Sequence, residues 1–394
     1  MVAYPTGADG YMSADTAVSL FSGIGGFELG FACAGVATSL VCDKDPVARA
    51  VLADRFPNAT MIGDIADLAA LPDCHYLVGG WPCQDLSQAG RMAGMGGNQS
   101  GLVSHVFRLI DGAARKPRVI LLENVAFALS LKGGEAVQQV TEKLAERGYR
   151  WAYRVLDSRE FGLPHRRRRV FICGMLDGDP SAVLFAGLDR DSAPTPAPND
   201  VGFYWTEGNR GVGWTPDAIP PLKGGSGLHI PSPPAIWNVE AGHFTVPGIE
   251  DAERLHGFTA GWTSAAHGPK RGDRERWRLV GNAVSVPVTR WIAERLTLDD
   301  PVAPEVEMRT ERGRHVAARG GPSEQTQYAL ASGEGPPDER RVPIAIFGLT
   351  GQTRLSHRAA EGFLRRYMRS NLRKNLDFAH ALARHCGLDA LPAA

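Results

Sequence analysis

The chain has 394 residues, enough to bury a full core and to form two or three compact units. Its 43 Lys and Arg residues balance 43 Asp and Glu residues, so the zero formal charge neither predicts nor excludes a polyanionic partner. Six scattered cysteines without a C-x-x-C pair argue against a zinc site and a disulfide framework. We expect no metal, no secretion signal and no membrane span, and therefore a cytoplasmic protein.

The first apolar run, residues 17–21, ends in the glycine-rich stretch SGIGG, and a helical pattern follows it. This order predicts a strand, a turn and a helix. Gly23, Gly25 and Gly26 would let a ligand lie against bare backbone, and the free N–H groups of the helix start favour an anion. A tight structural turn is the alternative explanation.

Acidic residues follow the next two apolar stretches. Asp43 and Asp45 end the second predicted strand, where a carboxylate can accept a pair of ribose hydroxyls. Asp64 ends a third short stretch, where it can accept from an adenine amino group. The full G-x-G-x-x-G signature is absent, so a nucleoside cofactor without a pyrophosphate fits at least as well as a dinucleotide.

Strand and helix patterns alternate as far as residue 177, which predicts a mostly parallel, doubly wound α/β sheet. HYLVGG, RVILLENV and RVFICGM are further predicted buried strands. Residues 178–269 are rich in Pro and Gly and predict a smaller irregular or β-rich domain. The polar segment 299–342 predicts a linker, and 343–394 predicts one or two basic helices that form a tail.

Chemically reactive side chains follow several of these strands. Glu123 and Asn124 end RVILLENV, and Cys83 follows the strand end YLVGGWP. The carboxyl ends of parallel strands meet at one edge of a sheet, over the ligand crevice. Arg167 and Arg169 occupy alternate positions at the start of another strand, so both can share one face. Taken singly, Cys83 could be an inert thiol, Glu123 a structural acid with a partner, and the two arginines surface charge. Taken together, these residues predict a reactive site.

In this order the residues resemble the cytosine-C5 DNA methyltransferases. The resemblance rests on six motifs in register between residues 16 and 298, namely LFSGIGGFELGF, GGWPCQDLSQAG, ENV, HRRRR, EDAERLHGF and GNAVSVPV. It implies a Rossmann-like S-adenosylmethionine-dependent fold in which a catalytic domain, 16–177, is completed by 270–298. Residues 178–269 would be the target-recognition domain, with a C-terminal helical extension beyond the 299–342 linker.

The resemblance also implies the roles of the reactive residues. Cys83 would add to C6 of cytosine and so activate C5 towards S-adenosylmethionine, with S-adenosylhomocysteine as product. Glu123 would hold the N3 proton and the exocyclic amine, and Asn124 would order the loop. Arg167 would grip the base O2 or a neighbouring backbone group, and Arg169 would position the Cys83 loop.

Cofactor and DNA contacts follow from the same motifs. The implied cofactor-binding residues are Phe21, Ser22, Gly23, Gly25, Gly26, Asp43, Asp64, Ile65, Pro82, Leu102, Asn282 and Ala283. The implied DNA-binding residues are Gln84, Ser87, Lys223, Gly224, Gly225, Ser226 and Gly227, because LKGGSGLHI resembles the glycine-rich recognition loop of the family. The cytosine must be flipped out of the duplex, and Ser226 stands where the family fills the vacated stack. Arg210, Lys223 and His229 are candidates for base readout.

Four positions depart from the family pattern. His165 replaces the glutamine of the arginine motif, Asp43 replaces a more common glutamate, Lys44 replaces an adenine-stacking aromatic, and Gln99 replaces an arginine. None of them removes a catalytic group. Cofactor affinity is the property that they affect most.

The leading hypothesis is the protective methylase of a restriction–modification system. We expect a monomer acting on double-stranded DNA of the nucleoid, and a cognate endonuclease that acts on the same site without a stable complex. Alternatives are an RNA methyltransferase of the same fold, disfavoured by the recognition segment, and a catalytically silent DNA-binding homologue, disfavoured by the intact Cys83 and Glu123. A dehydrogenase would need a pyrophosphate signature. A chain ending near residue 305 is expected to remain active.

Overall fold

The computed structural model describes residues 15–81, 101–189, 199–207, 211–223, 233–266, 273–313, 315–336 and 341–392. The chain divides into two compact units. The first comprises 1–160, 168–192 and 284–339, and the second comprises 161–167, 193–283 and 340–394. In the described ranges no helix has the length and apolarity needed to cross a membrane, and no three potential metal ligands cluster.

A ten-stranded sheet forms the centre of the first unit, in the order β12-β14-β13-β6-β7-β5-β4-β1-β2-β3. Its strands are β1 (Thr16–Leu20), β2 (Ala37–Cys42), β3 (Thr60–Ile62), β4 (Tyr76–Gly80), β5 (Val119–Val125), β6 (Arg150–Asp157), β7 (Arg168–Met175), β12 (Met308–Arg309), β13 (Ala317–Gly321) and β14 (Glu324–Ala329). The five strands from β3 to β5 are parallel, which confirms the doubly wound α/β fold. From β7 outward every pairing is antiparallel, so the expectation of a mostly parallel sheet holds for only half of it.

Within the described ranges, the α-helices that accompany this sheet are α1 (Gly26–Cys33), α2 (Pro46–Arg55), α3 (Leu102–Asp111), α4 (Glu135–Glu146), α5 (Pro180–Leu184) and α8 (Val286–Leu296). Helix α8 packs tightly on α1, because a Cβ on Gly30 would lie 2.2 Å from Thr289 Oγ1. The same hydroxyl donates to the Gly26 carbonyl at 2.8 Å. The C-terminal part of the predicted 270–298 segment thus completes the first unit, whereas its residues up to 283 belong to the second.

The linker prediction for 299–342 is wrong, because this segment supplies three strands of the sheet. β13 pairs with β6, and β14 and β12 follow it outward. Arg154, buried in the middle of β6, donates to four main-chain carbonyls, those of Leu184, Ala186, Gly333 and Gly335. Main-chain pairing and one buried guanidinium hold the segment, so it needs few apolar residues.

The second unit contains a five-stranded antiparallel sheet in the order β15-β11-β10-β8-β9. Its elements are β8 (Asp200–Phe203), β9 (Thr215–Pro216), β10 (Ala235–Asn238), β11 (His243–Val246), α6 (Ile249–Arg254), α7 (Arg274–Asn282), α9 (Ile344–Phe347), β15 (Thr353–Arg354), α10 (His357–Arg369) and α11 (Leu376–His385). The β-rich character predicted for 178–269 is therefore observed. The boundaries differ, because 178–189 lie with the first unit and 340–394 with the second.

Helices α10 and α11 build the core of the second unit. Phe203, Trp237 and Phe244 of the sheet pack against apolar residues of the two helices, including Phe363 and Phe378. The rings of Phe203 and Phe378 meet edge to face, 5.0 Å apart between centroids. The description of 343–394 as an appended tail is therefore wrong, since the sheet depends on these helices to cover one of its faces.

Candidate active site

The glycine turn after β1 has an unusual backbone. Phe21 is in the left-handed region with φ 56°, a conformation that costs a non-glycine residue free energy and often marks a functional site. Gly23 and Gly25 also have positive φ, of 58° and 89°. Among the described residues, no atom would lie within 4 Å of a Cβ on Gly23, whereas a Cβ on Gly25 would lie 2.3 Å from the Phe56 ring. The backbone at Gly23 is therefore the part of the turn with room for a ligand.

Asp43 ties this turn to the end of β2. Its carboxylate accepts from the N–H of Gly23 at 2.7 Å and from that of Asp45 at 2.8 Å. Burial raises the pKa of Asp43, against the opposing effect of these two N–H donors. A carboxylate offers about four acceptor positions, and within the described residues the two N–H groups use two of them, which leaves two for hydroxyl groups.

Glu28, in the first turn of α1, lies beneath the glycine turn and has no recognisable sequence signal. It is almost completely buried, and burial raises the pKa of its carboxyl, although the hydroxyls of Ser19 and Ser22 act in the opposite direction. The Ser22 hydroxyl in turn accepts from the Cys42 N–H at 3.2 Å. The predicted cofactor residue Ser22 thus links β1 to β2 beneath the surface.

Asp64 is the second acid of the predicted cofactor site. One carboxylate oxygen accepts from the Ala66 N–H at 3.0 Å, and the other lies 3.1 Å from the ammonium of Lys44. The N–H of Ala66 and the hydrogen bond from Lys44 lower the pKa of Asp64. Lys44, which stands where the family often has an aromatic, is thus a partner of the acid. Ile65 is buried beside them, and Leu102 begins α3 against the same core.

The sheet edge that the sequence predicts to be catalytic lies where β4 and β5 end. Gly80 is in register with Glu123, and the side-chain amide of Asn124 donates to the Trp81 carbonyl at 3.1 Å. Asn124 therefore holds the last described residue before the predicted nucleophile. Pro82, Cys83, Gln84 and Ser87 lie outside the described residues.

Glu123 and Arg169 form an ion pair at this edge. Nε of Arg169 lies 2.9 Å from a Glu123 oxygen, and both side chains are largely shielded from solvent. In the antiparallel ladder Arg169 of β7 lies opposite Val125 of β5. Glu123 is two residues before Val125 and so is on the same face of the sheet, diagonal to Arg169. A largely shielded pair restricts the orientation of the carboxylate, as a positioned catalytic acid requires.

Arg167 has different partners from Arg169. Its buried guanidinium donates to the carbonyls of Ala283 at 2.7 Å and Gly281 at 3.2 Å within the second unit. A third, longer bond reaches the Leu222 carbonyl. Arg167 thus fixes the GNA stretch, in which Ala283 is buried and Asn282 is exposed.

His165 occupies the position of the family's glutamine. The Leu222 N–H donates to Nε2 at 3.1 Å, so the proton of the neutral ring is on Nδ1, which lies 3.1 Å from the Leu255 carbonyl. A glutamine amide offers the same combination of one acceptor and one donor. The departure therefore preserves a buried anchor for the residues that precede the glycine-rich stretch.

Lys223 is the last described residue before that stretch. Its ammonium lies 3.8 Å from the centroid of the Tyr204 ring and pairs with Glu207. Gly224, Gly225, Ser226 and Gly227 lie outside the described residues, as do Arg210 and His229.

Comparisons with known proteins identify the family. Residues 16–199 match the family of C-5 cytosine-specific DNA methylases. Over 378 residues the chain is 41% identical to the type II methyltransferase M2.BsuMI of Bacillus subtilis (strain 168), an alignment that covers 93% of this chain and 97% of the relative. The chain belongs to the C-5 cytosine-specific DNA methylase family. The predicted resemblance and enzyme class, a DNA cytosine-C5 methyltransferase, are thereby confirmed.

Two further proteins extend the comparison. The type II methyltransferase M.NlaX of Neisseria lactamica is 30% identical over 312 residues, covering 71% of this chain and 95% of the relative. The crystal structure of the Dnmt2 methyltransferase of S. pombe superposes with a TM-score of 0.51 at 17% identity, covering 71% of this chain and 98% of that one. The second likeness concerns the fold alone. Membership of a methyltransferase family implies the use of S-adenosylmethionine.

Proposed function

We propose that this DNA cytosine-C5 methyltransferase is the modification enzyme of a type II restriction–modification system. It would act as a monomer on double-stranded DNA and methylate a flipped cytosine within one specific sequence. A cognate endonuclease would cut the same sequence when it is unmethylated, without forming a stable complex. The observation that carries the proposal is Glu123, oriented by Arg169 at the strand edge from which the chain continues to Cys83.

The residues around the glycine turn fit S-adenosylmethionine. The open space over Gly23 admits a ligand, and the remaining acceptor positions of Asp43 suit the ribose hydroxyls. Asp64 would accept from the adenine amino group. We assign contacts also to Phe21, Ser22, Gly25, Gly26, Ile65, Pro82 and Leu102. When bound, the cofactor supplies an electrophilic methyl group.

Cytosine C5 is a poor nucleophile, and the protein would make it a better one. The Cys83 thiolate would form a bond to C6, and the electron pair of the C5–C6 double bond would then become available at C5. Glu123 would hold the proton shared with N3 and accept from the exocyclic amine, which favours the addition. After methylation, C5 would lose its proton and the thiolate would leave C6 as the double bond re-forms.

Trapping on 5-fluorocytosine tests this chemistry. Fluorine cannot leave C5 as a cation, so duplex DNA with 5-fluorocytosine at the target should remain bonded to the protein after methyl transfer. The adduct should require cofactor, survive denaturing electrophoresis and map to Cys83 by peptide mass. Cys83→Ala should form none while still binding duplex DNA, and Glu123→Gln should form it slowly. Methylation without trapping, or an adduct on another residue, would refute the assignment.

The target itself can be found by bisulfite sequencing of DNA from cells that express the chain. Protected cytosines should share one sequence. Absence of any new methylation in DNA, together with activity on RNA, would reverse the choice of substrate.

A further inference from the structure

Helix α10 of the second unit has two faces of opposite character. Its apolar face, with Phe363, Leu364 and Tyr367, packs into the core. Arg358, Arg365 and Arg369 lie on the other side, all exposed, and at about 100° per residue they point within about 40° of one another. We call these three residues the arginine face of α10.

Positive charge is concentrated there although the chain as a whole is neutral. Residues 354–374 contain seven Lys and Arg residues and one acid, Glu361. Glu361 pairs with Arg365 at 2.6 Å, whereas Arg358 and Arg369 have no carboxylate partner in the described part of the chain. Helix stability does not account for Arg358, because a cation in the first turn of a helix opposes the helix dipole. The face therefore has the character of a binding surface for a polyanion.

The same helix is linked indirectly to the residues that flank the glycine-rich segment, Lys223 and Pro233. Arg366 of α10 donates to the main-chain carbonyls of Trp205 at 3.0 Å and Glu207 at 3.1 Å. Lys223, just before the segment, pairs with Glu207, and the Trp205 indole donates to the Pro233 carbonyl just after it, at 2.8 Å. Helix α10 is thus linked, through residues 205–207, to Lys223 and Pro233, the described residues on either side of 224–232.

We propose that the arginine face of α10 binds the phosphate backbone of the DNA next to the target sequence. The proposal rests on the proposed function, since it takes duplex DNA as the substrate. Contacts to phosphates position the protein but carry no sequence information. The face would therefore supply affinity, while base readout stays with the glycine-rich segment.

The test is the salt dependence of duplex binding by the full chain. The triple variant Arg358→Gln, Arg365→Gln, Arg369→Gln removes three charges with little change in helix propensity. Its slope of log affinity against log salt should fall by about 2 to 3, with the preference for target over non-target DNA unchanged. The control is the triple variant Arg115→Gln, Lys116→Gln, Arg118→Gln, which removes equal charge just before β5, at the opposite edge of the first unit's sheet from the catalytic residues.

Glu361→Gln gives a second and opposite measurement. It removes the one acid of residues 354–374 and releases Arg365, so it should tighten DNA binding, which a folding defect cannot imitate. An unchanged slope in the first triple variant, an equal fall in both, or no gain from Glu361→Gln would overturn the proposal. Wild-type methylation of DNA, measured in parallel, reports on the proposed function separately.

Discussion

Nε of Arg169 lies 2.9 Å from a carboxylate oxygen of Glu123, and this ion pair restricts the acid near the carboxyl end of β5. We expect Arg169→Ala to slow formation of the 5-fluorocytosine adduct by about ten- to a hundredfold, because small misplacements of catalytic groups are costly. DNA affinity should change little. The matched control is Arg166→Ala, at an exposed position in the same run of arginines. For both variants, the rate of adduct formation is measured with the protein already bound to DNA. Equal slowing by both variants would show that the loss of a positive charge, and not the loss of the Arg169–Glu123 ion pair, slows the reaction.

Cofactor binding should weaken in mild acid. Burial raises the pKa of Asp43 above its ordinary 3.8, while the hydrogen bonds that it accepts from the N–H groups of Gly23 and Asp45 favour the ionised form. As pH falls through the raised pKa, the carboxylate gains a proton and loses acceptors. Titration calorimetry with S-adenosylhomocysteine should therefore show affinity that declines as pH is lowered.

Asp43→Asn should bind S-adenosylhomocysteine weakly at every pH of this titration. Its affinity should also change less with pH than that of the wild type. Asp64 serves as the internal comparison, because its pKa is lowered and it stays ionised over the same range. Asp64→Ala should weaken binding without removing the pH dependence. A wild-type profile that matches that of Asp43→Asn would exclude Asp43 as the titrating group.

Glutamine at position 165 should be able to form the two hydrogen bonds of the His165 ring, whereas leucine should not. His165→Leu leaves the Leu222 N–H and the Leu255 carbonyl buried without these partners, at about 1–3 kcal/mol each. His165→Gln should stay within about 1 kcal/mol of the wild type, because its amide can form both hydrogen bonds. Urea unfolding compares the three proteins. Equal losses for the two variants would mean that ring packing, not hydrogen bonding, holds the site.

The C-terminal helices should prove indispensable. Phe378→Ala, in the core of the second unit, should lower the free energy of unfolding by about 3–5 kcal/mol. Leu376→Ala, on the same helix but more than half exposed, should cost within about 0.5 kcal/mol. A chain ending at residue 305 lacks both helices and should be insoluble or inactive, contrary to the expectation from sequence. A soluble and active truncated chain would contradict the assignment of these helices to the core.

The sequence was most informative where local chemistry dictates the backbone. Gly23 and Gly25 do adopt positive φ between a strand and a helix, and Asp43 does lie at the end of β2. The parallel ladder of β4 and β5 also sets Glu123 at the predicted edge. These features depend on a few neighbouring residues and on the strand order of a doubly wound sheet.

Long-range partners were the part that sequence could not supply. β6 carries no continuous apolar signal because its centre is Arg154, whose partners lie as far away as Gly335. The amphipathic pattern of α10 predicted a helix but not the sheet that covers it. The alternation of Arg167 and Arg169 likewise gave no indication that their guanidiniums have partners in different units.

The second unit is assembled from segments 161–167, 193–283 and 340–394, and α11 is part of its core. During synthesis four of the five strands of this unit, β8 to β11, emerge well before the helices that cover the sheet, so the nascent unit has no complete core until residue 385 has left the ribosome. A premature stop before Leu376 would therefore yield a chain whose second unit lacks a complete core. In a cell, such a fragment would be inert, and it could not methylate the genome indiscriminately.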